Sequence, residues 1–264
     1  MTVPVVQVDA FTDRPFAGNP AAVCLLDAPR VDDWLEAVAR ELNLPATAFL
    51  VPARDGFDLR WFTTTAELTL CGHGTLASAH VLWETGRLAP GVAARFHARC
   101  GLLTAERRAG WIEMDFPAEP ARETPPPPDL LEALGVSARL VARNRLDYLV
   151  EVASESVVRA VAPDLARLMR VDTRGVIVTA PAAKPGYDFV SRFFAPRFGL
   201  AEDFVTGSAH CCLGPLWAER LGRRDLVGRQ LSSRGGVVRV GVRGERVLLA
   251  GQAVTVFEGT LLAG

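Results

Sequence analysis

The sequence predicts an α+β protein of two pseudo-symmetric lobes, each a curved β-sheet or barrel wrapped around a central helix. Three observations lead there. Many short β-rich segments of similar length run along the 264 residues. Each half carries one long apolar helical segment. The halves also repeat each other. Arg60-Trp61-Phe62 is followed, nine residues after Phe62, by Cys71-Gly72-His73-Gly74 and an Ala-rich stretch to Trp83. Arg192-Phe193-Phe194 is followed, twelve residues after Phe194, by Thr206-Gly207-Ser208-Ala209 and a stretch through Trp217. Both read as strand, loop, glycine turn and buried helix. Thr124-Pro125-Pro126-Pro127-Pro128 cannot be helix interior or central strand, and reads as an extended connection. It sets an N-terminal lobe at 1–124 and a C-terminal lobe at 125–264, with terminal strands free to cross between lobes.

Taken in order, Val5–Phe11, Ala22–Leu26, Thr47–Val51 and Trp111–Phe116 are β-rich runs of strand length. Arg139–Ala142, Tyr148–Val152 and Gly175–Thr179 continue the series. Val237–Val242 and Arg246–Ala250 form a closing hairpin turning at Arg243-Gly244-Glu245. Helices fit Asp32–Leu42, Gly74–Thr85, Pro163–Arg170 and Ser208–Leu221, the last stopped by Gly222 as a C-cap. The glycine turns would then open at an inter-lobe cleft, where small-molecule sites usually lie.

Composition excludes several classes. Twenty-nine Lys+Arg balance 30 Asp+Glu for a net charge of −1, so no basic excess exists to draw nucleic acid or anionic membrane. No run reaches the roughly 18 apolar residues a spanning helix needs. The segment from Met1 to Asp9 lacks the basic region and cleavage site of a signal peptide, so a cytoplasmic globular protein is expected. Five cysteines (Cys24, Cys71, Cys100, Cys211, Cys212) form no C-x-x-C and no metal pattern, and their odd number suits reduced thiols. All but Cys71 read as buried small hydrophobes. A single lysine, Lys184, argues against Schiff-base chemistry. No G-x-S-x-G, Walker, H-E-x-x-H or G-x-G-x-x-G motif is present, which leaves cofactor-free proton transfer as the chemistry expected.

Each glycine turn feeds straight into a helix, bringing backbone N–H groups and the positive end of the dipole to one spot. Gly72, Gly74, Gly207 and Ser208 are therefore candidates for binding a small carboxylate; the alternative is that glycine simply permits a tight turn. Cys71, beside the first helix start, reads either as a partly accessible base or nucleophile or as a buried bystander. His73 is the best placed histidine for acid, base or hydrogen-bonding work. Asp203 precedes the second turn by three residues and reads either as a catalytic acid or as a capping residue. His210 caps or packs, His80 and His97 are structural or exposed, and Glu67 fits a structural hydrogen bond.

At these residues the sequence resembles the phenazine-biosynthesis (PhzF-like) isomerase family, which shares the two-lobed diaminopimelate-epimerase fold. The matching stretches are Asp9-Ala10-Phe11-Thr12, Phe16-Ala17-Gly18-Asn19-Pro20, Arg60-Trp61-Phe62-Thr63 with Glu67, and Leu70-Cys71-Gly72-His73. In the second half they are Ser191 to Pro196, Glu202-Asp203-Phe204-Val205-Thr206-Gly207-Ser208-Ala209-His210, and Gly251-Gln252-Ala253-Val254. The resemblance implies a cleft active site, no cofactor, a small carboxylate substrate and a homodimer, and it adds Asn19 to the binding residues. In the phenazine-pathway enzyme a glutamate shuttles a proton across a dihydro-hydroxyanthranilate ring. A histidine, an aspartate and a serine assist, matching His73, Asp203 and Ser208.

One departure matters. The family's glutamate stands in an Asn-Leu-Ser-Glu-Thr segment; here the chain reads Asn43-Leu44-Pro45-Ala46-Thr47, with Ala46 at the glutamate position. A methyl group cannot move a proton, and general acid–base catalysis is worth about 10²–10⁴-fold. Pro45 departs too, which favours natural divergence over an engineered Glu→Ala change. The related epimerases use two facing cysteines; Cys71 matches one, but Thr206 stands where the other would be. Three readings follow. The first is an isomerase or related proton-transfer enzyme in which Asp203, His73 or Cys71 replaces the base. The second is a different reaction in the same cleft, such as cyclisation, hydration or C–C bond cleavage. The third is a catalytically silent homologue that binds a metabolite or a partner protein.

Overall fold

A computed structural model describes residues 2–262. The chain divides into two compact units, residues 1–116 with 250–264, and residues 117–249. The division falls just after Phe116, so the proline run at Thr124–Pro128 lies inside the second unit, and the C-terminal strand returns to the first.

The first unit holds β1 (Val3–Ala10), β2 (Asn19–Leu25), α1 (Asp32–Leu42), β3 (Ala46–Ala53), β4 (Gly56–Phe62), β5 (Glu67–Leu68), α2 (Gly72–Glu84), β6 (Ala94–Ala98), β7 (Gly101–Arg108) and β8 (Trp111–Pro117). The second holds β9 (Arg122–Glu123), α3 (Leu130–Leu134), β10 (Leu140–Arg143), β11 (Asp147–Glu151), α4 (Glu155–Ala160), α5 (Leu165–Leu168), β12 (Gly175–Pro181), β13 (Phe189–Ala195), β14 (Leu200–Asp203), α6 (Gly207–Leu221), β15 (Asp225–Gln230), β16 (Gly236–Arg243) and β17 (Arg246–Gly251). The last strand, β18 (Ala253–Leu261), pairs antiparallel with β1.

The internal repeat is carried by strand pairing. In the first unit β1–β2 is antiparallel, β2–β3 parallel, β3–β4 and β4–β5 antiparallel, β4–β6 parallel and β6–β7 antiparallel. The second unit repeats the same succession with β10–β11, β11–β12, β12–β13, β13–β14, β13–β15 and β15–β16. The first parallel pair of each unit is bridged by surface helices, α1 between β2 and β3 and α4 with α5 between β11 and β12, and the second by the buried helix, α2 or α6.

Alternation along the strands separates two faces of each sheet. In the first unit Ala22, Cys24, Phe49 and Phe62 pack with Leu35 and Val38 of α1. The opposite face presents Ala21, Ala46, Ala48 and Trp61, as the Ala21–Ala46 and Ala48–Trp61 register requires. There α2 sits, buried from His73 through Trp83. A Cβ on Gly74 would lie 2.7 Å from Trp61 Cδ1, so glycine at 74 is dictated by the approach of the helix to the indole. In the second unit Val150, Val176, Val178 and Phe194 pack with Val158 and Leu168 of the short helices. The other face meets α6. Trp217 stacks on Phe189 with centroids 5.8 Å apart, and its Nε1 donates to Thr179 Oγ1 at 3.0 Å.

Several expectations are corrected. The helix expected over Pro163–Arg170 is only Leu165–Leu168, capped by Asp164 accepting from Arg167 N. A separate helix, α4, begins where Ser154 Oγ accepts from Val157 N. Helix α3 and strands β6, β7, β15 and β18 carried no local signal strong enough to be read. Cys100 is exposed, whereas Cys24, Cys211 and Cys212 are buried as expected.

Candidate active site

Residues at the start of α2 form a first cluster. Cys71 is the N-cap, in extended conformation with no side-chain cap bond, and Gly72 opens the helix. The second helical residue, His73, is buried, and Asn19 Nδ2 lies 3.3 Å from its Nδ1. An amide nitrogen only donates, so Nδ1 accepts and a neutral ring carries its proton on Nε2. Cys71 Sγ is 3.6 Å from Nδ1 and 3.8 Å from Nε2. Asn19, first residue of β2, shares its sheet face with Ala21, two positions on. Ala21 is the register partner of Ala46, whose methyl is fully buried. Ala46 therefore lies on the sheet face that carries Asn19 and supports α2.

The expected partial accessibility of Cys71 is corrected: it is 5% exposed. Packing of Gly74 against Trp61 draws the first turn of α2 onto the sheet and closes over the thiol; a Cβ on Gly74 would sit 3.0 Å from Cys71 Sγ. Burial pushes the Cys24, Cys211 and Cys212 thiols up to about 12. A thiol reagent at pH 8 is therefore expected to modify one cysteine per native chain, Cys100, and five after denaturation. Rapid modification of Cys71 in the native protein, located by peptide mass spectrometry, would contradict this packing.

A second cluster surrounds the start of α6. Thr206 is the N-cap, again without a side-chain cap bond, and Gly207 opens the helix. Asp203 Oδ2 accepts from Thr206 Oγ1 at 2.7 Å. Gln230, fully buried on β15, accepts from Thr206 N at 2.8 Å and donates to Asp203 O at 2.8 Å, locking the turn. Ser208, second residue of α6, accepts at Oγ from Arg174 Nη2 at 2.9 Å. Arg174 also grips the buried Asp147 with Nε at 2.8 Å and with Nη2. Burial raises the Asp147 pKa and the Arg174 contact opposes the rise. Gln230, Arg174 and Asp147 went unread in the sequence, being isolated polar residues far along the chain from the turns they hold.

The remaining candidates are structural. His210 donates from Nδ1 to Thr206 O at 2.8 Å, and burial pushes its pKa down to about 4. Between pH 6.5 and about 4 the unfolded chain binds a proton at this ring and the folded chain does not. Stability is therefore expected to fall by about 3 kcal/mol as pH drops through that window. Urea unfolding at pH 7 and pH 4.5 should show a smaller acid loss in His210→Gln; equal losses would refute the assignment. Glu67 accepts from Arg60 Nε at 2.7 Å and Arg99 Nη1 at 3.0 Å, and the Arg60 bond lowers its pKa. His80 Nε2 meets Thr255 Oγ1 at 3.0 Å, and His97 Nε2 donates to Asp55 O at 2.7 Å. Among the described residues no three His, Cys, Asp or Glu side chains gather as metal ligands would, and no helix is long and apolar enough to cross a membrane.

Two repeats of strands paired around a buried helix define the racemase and epimerase class of fold. A probable proline racemase from Agrobacterium radiobacter shares it with a TM-score of 0.67 over 99% of this chain and 93% of that chain, at 15% identity. Within that class the chain belongs to the PhzC/PhzF family, whose sequence model, described as phenazine biosynthesis-like protein, matches residues 8–259. An uncharacterised isomerase of Halalkalibacterium halodurans is 49% identical over 263 residues, 99% of each chain. The crystal structure of a PhzF-family phenazine biosynthesis protein from Enterococcus faecalis matches with a TM-score of 0.94 at 36% identity, covering 99% of each chain. The family and fold that the sequence motifs implied are both met.

Proposed function

We propose that the protein is a cofactor-independent isomerase that moves a proton on a small carboxylated, cyclic biosynthetic intermediate. The observation that carries this reading is the first cluster. A buried imidazole is held by an amide so that Nε2 keeps its proton, beside a thiol, on a wall where Ala46 offers only a methyl. Asp203 then serves as the base that takes a proton from one ring carbon, in place of the family's glutamate. Asp203 returns that proton, or one exchanged with solvent, to another carbon, while His73 hydrogen-bonds through Nε2–H the charge that develops between the two events. The atoms of substrate and product are therefore the same, and Asp203 ends as it began. Ser208 and the first amides of α2 and α6, at Gly72, Gly74 and Gly207, bind the carboxylate; with Gly74 fixed by Trp61, only its N–H is available for that purpose. Asn19 acts through His73. Homodimer formation and a cytoplasmic location belong to the same reading.

The test is deuterium incorporation into dihydro-hydroxyanthranilate in heavy water, followed by mass spectrometry. Incorporation is expected with the wild type and should fall by about 10²-fold or more in Asp203→Asn. Equal rates in the two proteins would remove Asp203 from the mechanism. The methyl at Ala46 favours a second reading, a homologue that binds such acids without turnover, and binding without incorporation would select it.

A further inference from the structure

We propose that Arg174 is a positioning residue that, held by Asp147, orients the Ser208 hydroxyl so that its proton is presented to the substrate carboxylate. The inference rests on the carboxylate-binding role proposed for Ser208 and adds the residues that make that role possible. The argument is a count of donors and acceptors. A guanidinium has five N–H groups and no acceptor. Two are spent on Asp147, whose side chain is wholly excluded from solvent. A third goes to Ser208 Oγ. A hydroxyl that accepts from a guanidinium still has its own proton to give, and among the described residues Ser208 has no acceptor for it. Ser208 is half-buried, so that proton is directed to whatever occupies the site.

Neutralising the buried Asp147 accounts for two of the three bonds and leaves the Ser208 contact unexplained. Arg174 is also held in its plane by the Phe193 ring, 5.5 Å below the guanidinium carbon. The repeat supplies a parallel. In the first unit the second residue of the buried helix, His73, is held by Asn19 on the strand β2 that pairs parallel with β3. In the second unit the second residue of the buried helix, Ser208, is held by Arg174, which leads directly into β12, the parallel partner of β11. Both units thus orient the same helical position from the same strand pair, one with an amide and one with a guanidinium braced by a carboxylate.

The experiment is a double-mutant cycle on Arg174→Lys and Ser208→Ala, read as the Kd for 3-hydroxyanthranilate by titration calorimetry. Lysine keeps a cation against Asp147 but lacks the fork that reaches both partners. Should that variant fail to fold, Arg174→Met with Asp147→Leu removes both charges together and takes its place. Each single change is expected to weaken binding by about tenfold, and the double change by no more than either alone. Full retention of affinity in Arg174→Lys, with loss in Ser208→Ala, would overturn the positioning role and leave the carboxylate site standing. Losses that multiply would show Arg174 touching the acid on its own account, which also overturns it. A wild type that does not bind the acid would overturn the carboxylate reading of Ser208, and this role with it.

Discussion

Replacing Ala46 by glutamate is expected to raise deuterium incorporation into dihydro-hydroxyanthranilate by about 10²–10⁴-fold, the usual contribution of a positioned acid–base group. Ala46 opens β3 in register with Ala21, and Asn19, two residues earlier on β2, contacts His73. A longer side chain at 46 projects from the face that carries Asn19. The alanine is fully buried, so a carboxyl placed there loses hydration and its pKa rises, which is what a group must do to take and return a proton near neutrality. The same burial costs stability, on the order of 1–3 kcal/mol, and circular dichroism melts should accompany the kinetics. A folded Ala46→Glu protein that incorporates no more deuterium than the wild type would show that this wall is not where the family's proton relay acts.

Gly18→Ala should be among the most damaging single-methyl additions to the first unit. Gly18 has φ +65°, and a Cβ there would lie 2.2 Å from the carbonyl oxygen of Ala10 and 2.9 Å from Thr12 Cγ2. The obstacle is backbone at the closed end of the β1–β2 pair, where Ala10 faces Asn19. The connecting loop has little slack, since Phe11 and Phe16 also have positive φ and Asp9 Oδ2 accepts from Phe16 N at 2.6 Å. A left-handed alanine costs about 1–2 kcal/mol, and overpacking adds about 1–3 kcal/mol. A total loss of about 3 kcal/mol is expected from chemical denaturation. Gly110→Ala is the internal control, with φ +79° and nothing within 4 Å of its Cβ, and should lose only the conformational part. Equal losses at the two sites would mean that the loop gives way and does not fix Asn19. Because Asn19 holds His73, Gly18→Ala should also slow any turnover beyond what the stability loss explains.

Much of this was legible in the residues alone. The β-branched and apolar composition of Val5–Phe11 and of Gly175–Thr179 marked strands because such side chains suit a pleated, buried surface. The repeated glycine turns marked two buried helices because a close helix start excludes a side chain, as Trp61 now shows at Gly74. Asp203, His73 and Ser208 stood out because they flank those turns. Helices α3 and α4 and strands β6, β7, β15 and β18 did not, since what holds them in place comes from partners elsewhere in the chain.

The sequence by itself determined the α+β repeat and the family, and it set the expectation that Ala46 stands at the position of the family's glutamate. These are local matters of period, turn chemistry and motif. Only the tertiary structure decided which polar groups hold the candidate site residues. Asn19 reaches His73 across 54 residues, Arg174 reaches Ser208 across 34, and Gln230 reaches Thr206 across 24. It also decided that Cys71 is buried. A hydrogen bond between distant positions leaves no periodic mark on either segment. Its partner is chosen when the sheets bring the strands into register, and burial then makes the bond costly to leave unmade.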